Sequence, residues 1–444
     1  MKVAIVGSGI SGLAAAHALN GRADITLFEA GDYFGGHSHT VDVTLPGADG
    51  PVSHGVDTGF LVFNERTYPN LIALFAELGI ETARSEMSFS VKVANARRSG
   101  ALEWSGSSLN SVFAQRGNLA RWKFLRMLRD IVRFNRIATA LAASGMEAQT
   151  LQPLGDWLRD QKFSAEFRDW YFLPMMGCIW SCPVDQMLRF PVATMIRFCH
   201  NHGLIQLTGR PQWWTVKGGA RRYVEKMIAG IGDKRLNTPV LRIVRDAHSA
   251  RGGVLVVTKD AALRFDKVVL ATHSDQSLAL LADASAGEQG VLGAIRYQPN
   301  RAVLHTDAGV LPQKKLAWAA WNYERAAQAG GDSPGVCLHY LLNQLQPLPF
   351  VQPVLVSLNP VSEIARRHVL GEYDYMHPVF DLAATRAQKQ LPTLQGVRHS
   401  YFCGAWTGYG FHEDGLKSGL LAARLLLAEH SQQQPRPQHE GVAA

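Results

Sequence analysis

Residues 2–13, KVAIVGSGISGL, determine the first element of the fold. The apolar, β-branched run Lys2–Val6 is typical of a buried parallel strand, and a glycine-rich turn follows it directly. Gly7 permits the tight turn, Gly9 lets the backbone approach a pyrophosphate, and Gly12 allows the next helix to pack against the strand. The pattern therefore predicts a strand–turn–helix whose helix N-terminus faces phosphate groups.

An acidic residue closes the second predicted strand, Asp24–Glu29. Glu29 is placed to accept hydrogen bonds from a ribose diol, and strand, helix and strand form a βαβ unit of about thirty residues. Ser8 and Ser11 in the loop, and Ala30 after the acid, complete the predicted contacts of this unit. The unit indicates a dinucleotide but leaves NAD and FAD open.

Two further glycine motifs distinguish between these cofactors. Gly35 and Gly36 follow Glu29 and allow the backbone to run beside the phosphates and ribityl chain of FAD. The turn VDTGF comes next, at residues 56–60, and residues 404–416 read GAWTGYGFHEDGL before an alanine- and leucine-rich helix. The combination favours FAD.

This order of motifs resembles the flavin-containing amine oxidase and phytoene desaturase superfamily. The common form Gly-Gly-Arg is replaced here by Gly-Gly-His, ending at His37, and the usual acid of the closing segment is replaced by Ala405. The resemblance implies an α/β fold in which a Rossmann-like FAD-binding domain of the amine oxidase type is interleaved with an α+β substrate domain. The further cofactor contacts that it implies are His37, Thr58, Gly59, Phe60, Val240 at the adenine end, Gly404, Ala405, Asp414, Gly415 and Leu416. The helix N-terminus near Gly415 would then stabilise negative charge on the reduced flavin.

The alternation of α/β and mainly helical sequence patterns along the chain predicts a discontinuous domain organisation. Helical patterns dominate between the N-terminal unit and a second α/β stretch that begins near Gly218. We predict an FAD-binding domain formed by residues 1–75, 218–295 and 396–430, a substrate domain formed by 76–217 and 296–395, and a disordered tail at 431–444.

A finer resemblance concerns the reaction. The segments WWTVKGG at 213–219, WNY at 321–323 and GFHEDG at 410–415 are similar to bacterial flavoproteins associated with cyclopropane- and methyl-branched fatty acids, including the desaturase of furan fatty acid biosynthesis. The resemblance implies desaturation of a methyl-branched, unsaturated acyl chain of a phospholipid to a conjugated diene, with hydride transfer to flavin N5. His412, Glu413 and Tyr340 are the candidate catalytic residues. His412 is favoured as the base, and a packing role beside the cofactor is the equal alternative.

Two other functions stay open at this stage. An amine oxidase acting on a small amine usually has a lysine near N5 in the substrate-domain sheet, whereas Arg301 and Ala302 stand where that lysine is expected. Lys314 and Lys315 lie too far along the chain to fit well. The third function is a non-redox isomerase or a protein that only binds flavin.

A basic amphipathic stretch at residues 121–136 suggests peripheral contact with anionic lipid. Its predicted apolar side carries Phe124, Leu125, Leu128, Ile131 and Val132, and a core-facing helix is the competing interpretation. The apolar segment Phe172–Trp180 is predicted to line an acyl tunnel or to form a methionine-rich core.

Composition sets the remaining expectations. The chain has 444 residues, a net charge of +8 and five cysteines without a disulfide framework. Nucleic acid is excluded as a partner by the absence of a binding motif, and neither a metal nor a membrane-spanning helix is expected. We expect a cytoplasmic protein that associates with the inner face of the membrane, and a homo-oligomer is left open.

Overall fold

The computed structural model describes residues 1–94, 96, 100–145, 152–180, 184–206, 209–245, 252–325 and 337–433, which form two compact units. The first unit contains Met1–Gly36, Tyr223–Ile295 and the described residues from Arg386 onwards. The second contains the described residues within His37–Arg222 and Arg296–Thr385. Each unit is therefore assembled from separate stretches of the chain.

The strands are β1 (Lys2–Val6), β2 (Asp24–Phe28), β3 (Thr40–Gly47), β4 (Gly50–Asp57), β5 (Phe63–Asn64), β6 (Thr82–Ser85), β7 (Phe89–Val93), β8 (Leu102–Ser105), β9 (Trp213–Val216), β10 (Asp233–Arg235), β11 (Val240–Arg245), β12 (Val254–Thr258), β13 (Ala262–Phe265), β14 (Lys267–Leu270), β15 (Arg296–His305), β16 (Trp321–Arg325), β17 (Cys337–Leu341), β18 (Leu355–Leu358), β19 (Val369–Val379) and β20 (Ser400–Phe402). The α-helices are α1 (Ile10–Leu19), α2 (Pro69–Leu78), α3 (Leu109–Val112), α4 (Trp122–Ala143), α5 (Leu154–Asp160), α6 (Ala165–Phe167), α7 (Leu173–Trp180), α8 (Val184–Met187), α9 (Val192–Asn201), α10 (Arg221–Ala229), α11 (Ser274–Leu280), α12 (Ala286–Leu292), α13 (Leu342–Leu345), α14 (Leu382–Gln390) and α15 (His412–Gln433).

The first unit is built on a parallel sheet in the order β10-β2-β1-β14-β20. Its central strand β1 is buried from Val3 to Val6, as expected for a strand covered on both faces. The second sheet of this unit, β11-β12-β13, is antiparallel. The carboxyl end of β1 therefore leads into the glycine loop at the centre of the parallel sheet, where doubly wound folds bind their ligands.

The two ends of the chain meet in this first unit, because α15 packs on α1. A Cβ at Gly419 would lie 2.1 Å from the carbonyl oxygen of Ser11, so a glycine is required at this crossing. The carboxylate of Glu429 pairs with the buried Lys267 of β14 and accepts a hydrogen bond from Tyr401 of β20. These contacts fix the C-terminal helix on the parallel sheet.

The second unit is built on a seven-stranded sheet in the order β19-β15-β18-β17-β16-β7-β8. Apart from the parallel pair β16 and β7, neighbouring strands are antiparallel. The hairpin β3–β4 and the small sheet β5-β9-β6 complete the strands of this unit. Helix α7 packs on β16, and Phe172 together with most of α7 is buried, so the segment predicted at Phe172–Trp180 belongs to the interior of the unit.

Several sequence-based boundaries differ from the structure. Residues 37–75 belong to the second compact unit, whereas the sequence suggested one domain for residues 1–75, and their assignment to FAD binding stays a prediction. Helix α9 begins at Val192, because Pro191 occupies its N-cap and cannot continue the earlier helix α8. The tail predicted as disordered is helical to Gln433, and residues 434–444 lie outside the described residues.

The sequence predicts neither a membrane-spanning helix nor a disulfide framework. Within the described residues, none of the helices combines the length and the apolar content that a bilayer-crossing segment needs. The cysteines at positions 178, 199, 337 and 403 are buried and unpaired, and Cys182 lies outside the described residues.

Candidate functional site

The glycine loop after β1 has the geometry that a pyrophosphate requires. Gly7 adopts a φ of +98°, and a Cβ there would approach the carbonyl oxygen of Ala271 to 2.8 Å. A Cβ on Gly12 would lie 1.9 Å from the carbonyl oxygen of Gly7, whereas a Cβ on Gly9 meets no atom within 4 Å. Helix α1 has no side-chain cap. The open space at Gly9 and the uncapped helix N-terminus fit the phosphates of a dinucleotide.

The predicted ribose acid is held against the same loop. One carboxylate oxygen of Glu29 accepts hydrogen bonds from the backbone N–H and the hydroxyl of Ser8, at 2.9 and 2.5 Å. The other accepts from the N–H of Gly31 at 2.9 Å. Glu29 therefore lies at the loop, as the sequence predicts, and a ribose diol would compete with Ser8 for its oxygen atoms.

The second glycine pair lies directly on the first loop. Gly35 donates its N–H to the carbonyl oxygen of Ser8 at 3.1 Å and forms a parallel bridge with Gly9. Gly36 has a φ of +59°, and a Cβ there would approach the Cα of Gly9 to 3.1 Å. The two glycine motifs thus form one backbone surface, which fits the prediction that the chain follows the cofactor here.

The predicted adenine contact begins β11, next to the ribose acid. The N–H of Thr238 donates to the carbonyl oxygen of Glu29 at 2.8 Å, and that of Asn237 donates to Gly31 at 2.9 Å. Val240 follows two residues later and is largely buried. The structure therefore brings Val240 into the neighbourhood of Glu29 and Ala30, although the adenine contact itself stays a prediction.

The C-terminal segment returns to the same loop. A Cβ on Gly415 would lie 2.7 Å from Cγ2 of Ile10 and 3.6 Å from the backbone nitrogen of Ala405. Gly404 is fixed by Ser418, whose hydroxyl accepts from the N–H of Gly404 at 2.9 Å. Leu416 is buried beside Gly415. The predicted adenine-side and flavin-side residues of the first unit therefore surround one helix N-terminus, that of α1.

Asp414 shapes the turn that precedes α15. Its Oδ2 accepts hydrogen bonds from the backbone N–H groups of Tyr409 and Phe411, at 3.0 and 3.1 Å. Burial raises the pKa of Asp414 to about 6. Because Oδ2 already accepts from its own loop, a contact from this side chain to the cofactor has to come chiefly from Oδ1.

The favoured catalytic histidine begins α15 and is buried. The Nε2 atom of His412 lies 2.7 Å from the hydroxyl of Tyr223 on α10. Burial lowers the pKa of His412 to about 3, so the ring is neutral at pH 7. A base with so low a pKa accepts a proton poorly at neutral pH, which favours the packing alternative; Glu413, also buried, is its neighbour in the first turn.

Replacing Tyr223 with phenylalanine is expected to lower the free energy of unfolding by about 1 kcal/mol, because the hydrogen bond to His412 is lost inside the protein. Urea denaturation of the two proteins at neutral pH measures this change. Tyr171→Phe is the matched control, since the Tyr171 hydroxyl is also in a buried residue but makes no hydrogen bond within the described residues. Equal stability of both variants and the parent would contradict a structural role for the Tyr223–His412 pair.

The remaining predicted cofactor residues form a cluster of their own in the second unit. The carbonyl oxygen of His37 accepts from the N–H of Phe60 at 2.7 Å, and a Cβ on Gly59 would lie 2.2 Å from the same oxygen. The hydroxyl of Thr58 lies 2.7 Å from that of Tyr375 on β19, and the tilted rings of Tyr375 and His37 have centroids 4.9 Å apart. Thr58, Gly59 and Phe60 thus hold the backbone and ring of His37 in place.

Tyr340 lies on an aromatic face of the seven-stranded sheet. Cross-strand register places directly paired residues on the same face. We call the following set the aromatic face: Phe89, Val91, Trp104, Ala302, Leu304, Trp321, Tyr323, Leu338, Tyr340, Val356, Leu358, Tyr373 and Tyr375. The rings of Trp321 and Tyr340 are perpendicular, with centroids 5.0 Å apart, and the indole N–H of Trp321 is buried without a hydrogen-bond partner.

The opposite face of the sheet carries a polar row. Lys92 pairs with Glu324 at 2.8 Å, the other oxygen of Glu324 lies 3.0 Å from His339, and Ser357 bridges His339 to His305 at 2.6 and 2.7 Å. Cys337, Glu324 and His339 present atoms within 4.8 Å of one another, a grouping that sequence spacing did not reveal. Because Lys92 neutralises Glu324 there, the row is explained by hydrogen bonds and an ion pair, and the expectation of no metal stays a prediction.

Comparison with known proteins defines the class of this fold. Residues 10–305 match the model of a family described as flavin containing amine oxidoreductase. The structure is similar to cyclohexylamine oxidase from Brevibacterium oxydans IH-35A, with 18% identity, a TM-score of 0.63 and coverage of 97% of this chain and 99% of that chain. It is also similar to a CLA-producing fatty acid isomerase from P. acnes, with 16% identity, a TM-score of 0.64 and coverage of 96% of this chain and 98% of that chain. The comparison with putrescine oxidase gives 16% identity, a TM-score of 0.65 and coverage of 96% of this chain and 99% of that chain. No curated protein matches the sequence significantly.

The fold and the family match define an FAD-dependent oxidoreductase with a Rossmann-type FAD-binding domain and a separate substrate domain. The chain belongs to the flavin containing amine oxidoreductase family. The fold class and the FAD cofactor predicted from the glycine motifs are confirmed.

Three residues that hold the site in place through hydrogen bonds could not be assigned this role from the sequence. Tyr223, Tyr375 and Asp57 act through His412, Thr58 and Ala220 respectively. Their partners lie far away in sequence, so no spacing rule identifies them. Ser418, three residues after Gly415, offered a local signal, because a serine at this place in a helix can bond back to a preceding carbonyl.

Proposed function

We propose that this chain desaturates a methyl-branched, unsaturated fatty acyl chain of a phospholipid to a conjugated diene. The observation that supports this function is the composition of the aromatic face. Within the described strands of the seven-stranded sheet, the only lysine is Lys92, which lies on the opposite face in an ion pair with Glu324. Arg301, where the sequence left room for a catalytic lysine, pairs with Glu372 on that opposite face, and Ala302 is buried.

The aromatic face suits an acyl chain for a physical reason. Its members offer large apolar area with few polar atoms, and the methionine-containing helix α7 packs on β16 from the interior. A small cationic amine would gain about 0.5–2 kcal/mol from an aromatic ring but nothing from the aliphatic members of this surface. The central part of the face carries no acidic side chain within the described residues.

When bound, FAD would supply the hydride acceptor for such a reaction. The protein then has to hold the allylic carbon in place, exclude water and accept one proton. We propose Glu413 as the group to test first for accepting the proton and Tyr340 as an orienting group. A pKa of about 3 makes His412 a weak base, and its Nε2 atom is engaged with Tyr223. Loss of one hydride and one proton from the acyl chain gives the second double bond of a conjugated diene.

An amine oxidase is the second candidate, and one observation favours it. The perpendicular pair of Trp321 and Tyr340 provides two aromatic rings on one face, and aromatic rings can enclose an amine. Two of the similar folds, cyclohexylamine oxidase and putrescine oxidase, are named for amines. The fatty acid isomerase among the similar folds keeps a non-redox reaction on a lipid as the third candidate.

Anaerobic mixing of the FAD-loaded protein with a methyl-branched, unsaturated phospholipid distinguishes the three candidate functions, which are desaturase, amine oxidase and isomerase. Desaturation predicts bleaching of the oxidised flavin band together with the near-ultraviolet absorbance of a conjugated diene. Bleaching by putrescine or cyclohexylamine but not by the phospholipid would support the amine oxidase. A shifted double bond with no bleaching would support the isomerase and exclude desaturation.

A further inference from the structure

Helix α4 exposes apolar and basic side chains on the same stripe. Trp122, Leu125 and Val132 are 63%, 43% and 57% exposed, and Arg129 and Arg136 are exposed between and after them. The spacing of three and four residues puts all five side chains on one side of the helix. We call these five residues the α4 stripe. A helix face turned only to water rarely combines a tryptophan, a leucine and a valine in this way.

The apolar side of α4 that faces the core differs from the apolar side predicted from the sequence. Phe124 and Ile131 point into the core together with Met127 and Phe134, whereas Leu125 and Val132 lie on the outer side. Leu128 is half-buried at the boundary. The helix therefore has a complete core-facing side and, in addition, a partly apolar outer side that the core does not explain.

Exposed apolar groups are concentrated around this helix. Of the fourteen exposed large hydrophobic side chains within the described residues, five lie between positions 109 and 132. Two of them, Leu109 and Leu119, precede the helix and are 80% and 55% exposed. Trp122 is the one exposed tryptophan within the described residues. The concentration indicates a surface that binds something other than water.

The charge around the stripe has a single sign. Residues 116–136 contain seven basic side chains and one acid, Asp130, which is buried. Arg126 lies over the Trp122 ring at 5.3 Å, and Arg136 has no ion-pair partner within the described residues. Within the described residues, two ion pairs reach outer basic groups, Lys123–Glu166 and Arg129–Asp130, and both are long, at 3.8 Å. Most of this positive charge is therefore available to an anionic partner.

We infer that the α4 stripe docks the protein on an anionic phospholipid surface. Trp122, Leu125 and Val132 would enter the interface between headgroups and acyl chains, and Arg129 and Arg136 would bind lipid phosphates. A second copy of the chain fits less well, because two such faces would bring arginines against arginines. The inference rests on the proposed function, since a phospholipid substrate has to be reached at a bilayer surface.

Co-sedimentation with vesicles of phosphatidylglycerol or of phosphatidylcholine tests the docking surface. The FAD-loaded parent is expected to bind the anionic vesicles, with a partition coefficient that falls as salt is added. R129Q/R136Q is expected to lose about fivefold per arginine, and W122A/L125A/V132A on the order of 100-fold. The matched control L241A/L316A/V351A removes side chains that are 57%, 51% and 68% exposed outside the stripe, and it should bind like the parent.

Each outcome of this experiment decides the inference. Parent-like binding by the apolar triple variant, or equal loss by the control, would overturn it. Loss of a dimer in light scattering by the same variant, without any vesicle binding by the parent, would assign the stripe to self-association instead. Turnover of phospholipid dispersed in neutral detergent is measured in parallel. Activity there without vesicle binding would overturn docking alone, and vesicle binding without turnover would count against the proposed function alone.

Discussion

Replacing Gly9 with alanine is expected to lower the affinity for FAD on the order of 100-fold and to leave the stability of the protein nearly unchanged. A Cβ at this position meets no protein atom within 4 Å, so the fold has room for it. That same space lies at the N-terminus of α1, where the added methyl group would keep a pyrophosphate from the backbone N–H groups. Loss of two hydrogen bonds to a charged group, at about 1.5 kcal/mol each, gives the expected factor.

Gly12→Ala is the companion variant, in which stability is expected to fall as well as the affinity for FAD. Its Cβ would lie 1.9 Å from the carbonyl oxygen of Gly7, so the helix has to move away from the loop. We expect about 3 kcal/mol of lost stability as well as lost FAD. FAD titration of the apoproteins and urea denaturation measure the two quantities. Gly290→Ala, in α12 with no neighbour within 4 Å, is the control; it should keep the parent affinity for FAD and gain at most about 1 kcal/mol of stability. Retention of parent affinity by Gly9→Ala would mean that the cofactor phosphates do not lie at this loop.

Local pattern was sufficient to predict the cofactor half of the protein. Strand β1 was predicted with its exact bounds, and the glycine turn and the following acid are consecutive features of one βαβ unit. A Cβ at Gly7 or Gly12 would collide with the loop itself or with Ala271 at the end of the adjacent strand β14, so both glycines are required for local reasons. The closing segment at the C-terminus was recognisable for the same reason, because its own turn and helix N-terminus are local.

The second unit could not be predicted in this way, because its key contacts join distant stretches. Asp57 binds groups that are 163 and 289 residues further along the chain, and no local pattern indicates that residues 37–57 belong to the second unit. Helix α4 shows a second reason why the sequence pattern was insufficient. Both of its sides are partly apolar, and periodicity alone does not tell which side faces the core.

Replacing Asp57 with alanine is expected to destabilise the protein by about 3–4 kcal/mol. Its buried carboxylate accepts hydrogen bonds from the hydroxyl of Thr40 at 2.5 Å, from the N–H of Ala220 at 2.9 Å and from the side-chain amide of Gln346 at 2.7 Å. The variant would leave these three donors without an acceptor inside the protein. Urea denaturation measures the loss. Asp42→Ala on the same hairpin is the control, because the exposed pair with Arg221 is worth less than about 1 kcal/mol.

The same carboxylate makes stability depend on pH with a defined sign. Burial raises the pKa of Asp57 from its ordinary value of 3.8 to about 7, since removal from water opposes ionisation more strongly than the three donors favour it. Between these values the folded state holds a proton that the unfolded state has lost, so the contribution of Asp57 to stability falls as the pH rises through this window. Asp57→Asn cannot titrate. The stability of the parent relative to Asp57→Asn should therefore drop by about 2.5 kcal/mol between about pH 5 and pH 7, at 1.36 kcal/mol per pH unit. Other titrating groups, such as His412 and Asp414, cancel in this difference. A difference that is constant over the window would show that Asp57 keeps the same charge in the folded and unfolded protein, and that its donors outweigh burial.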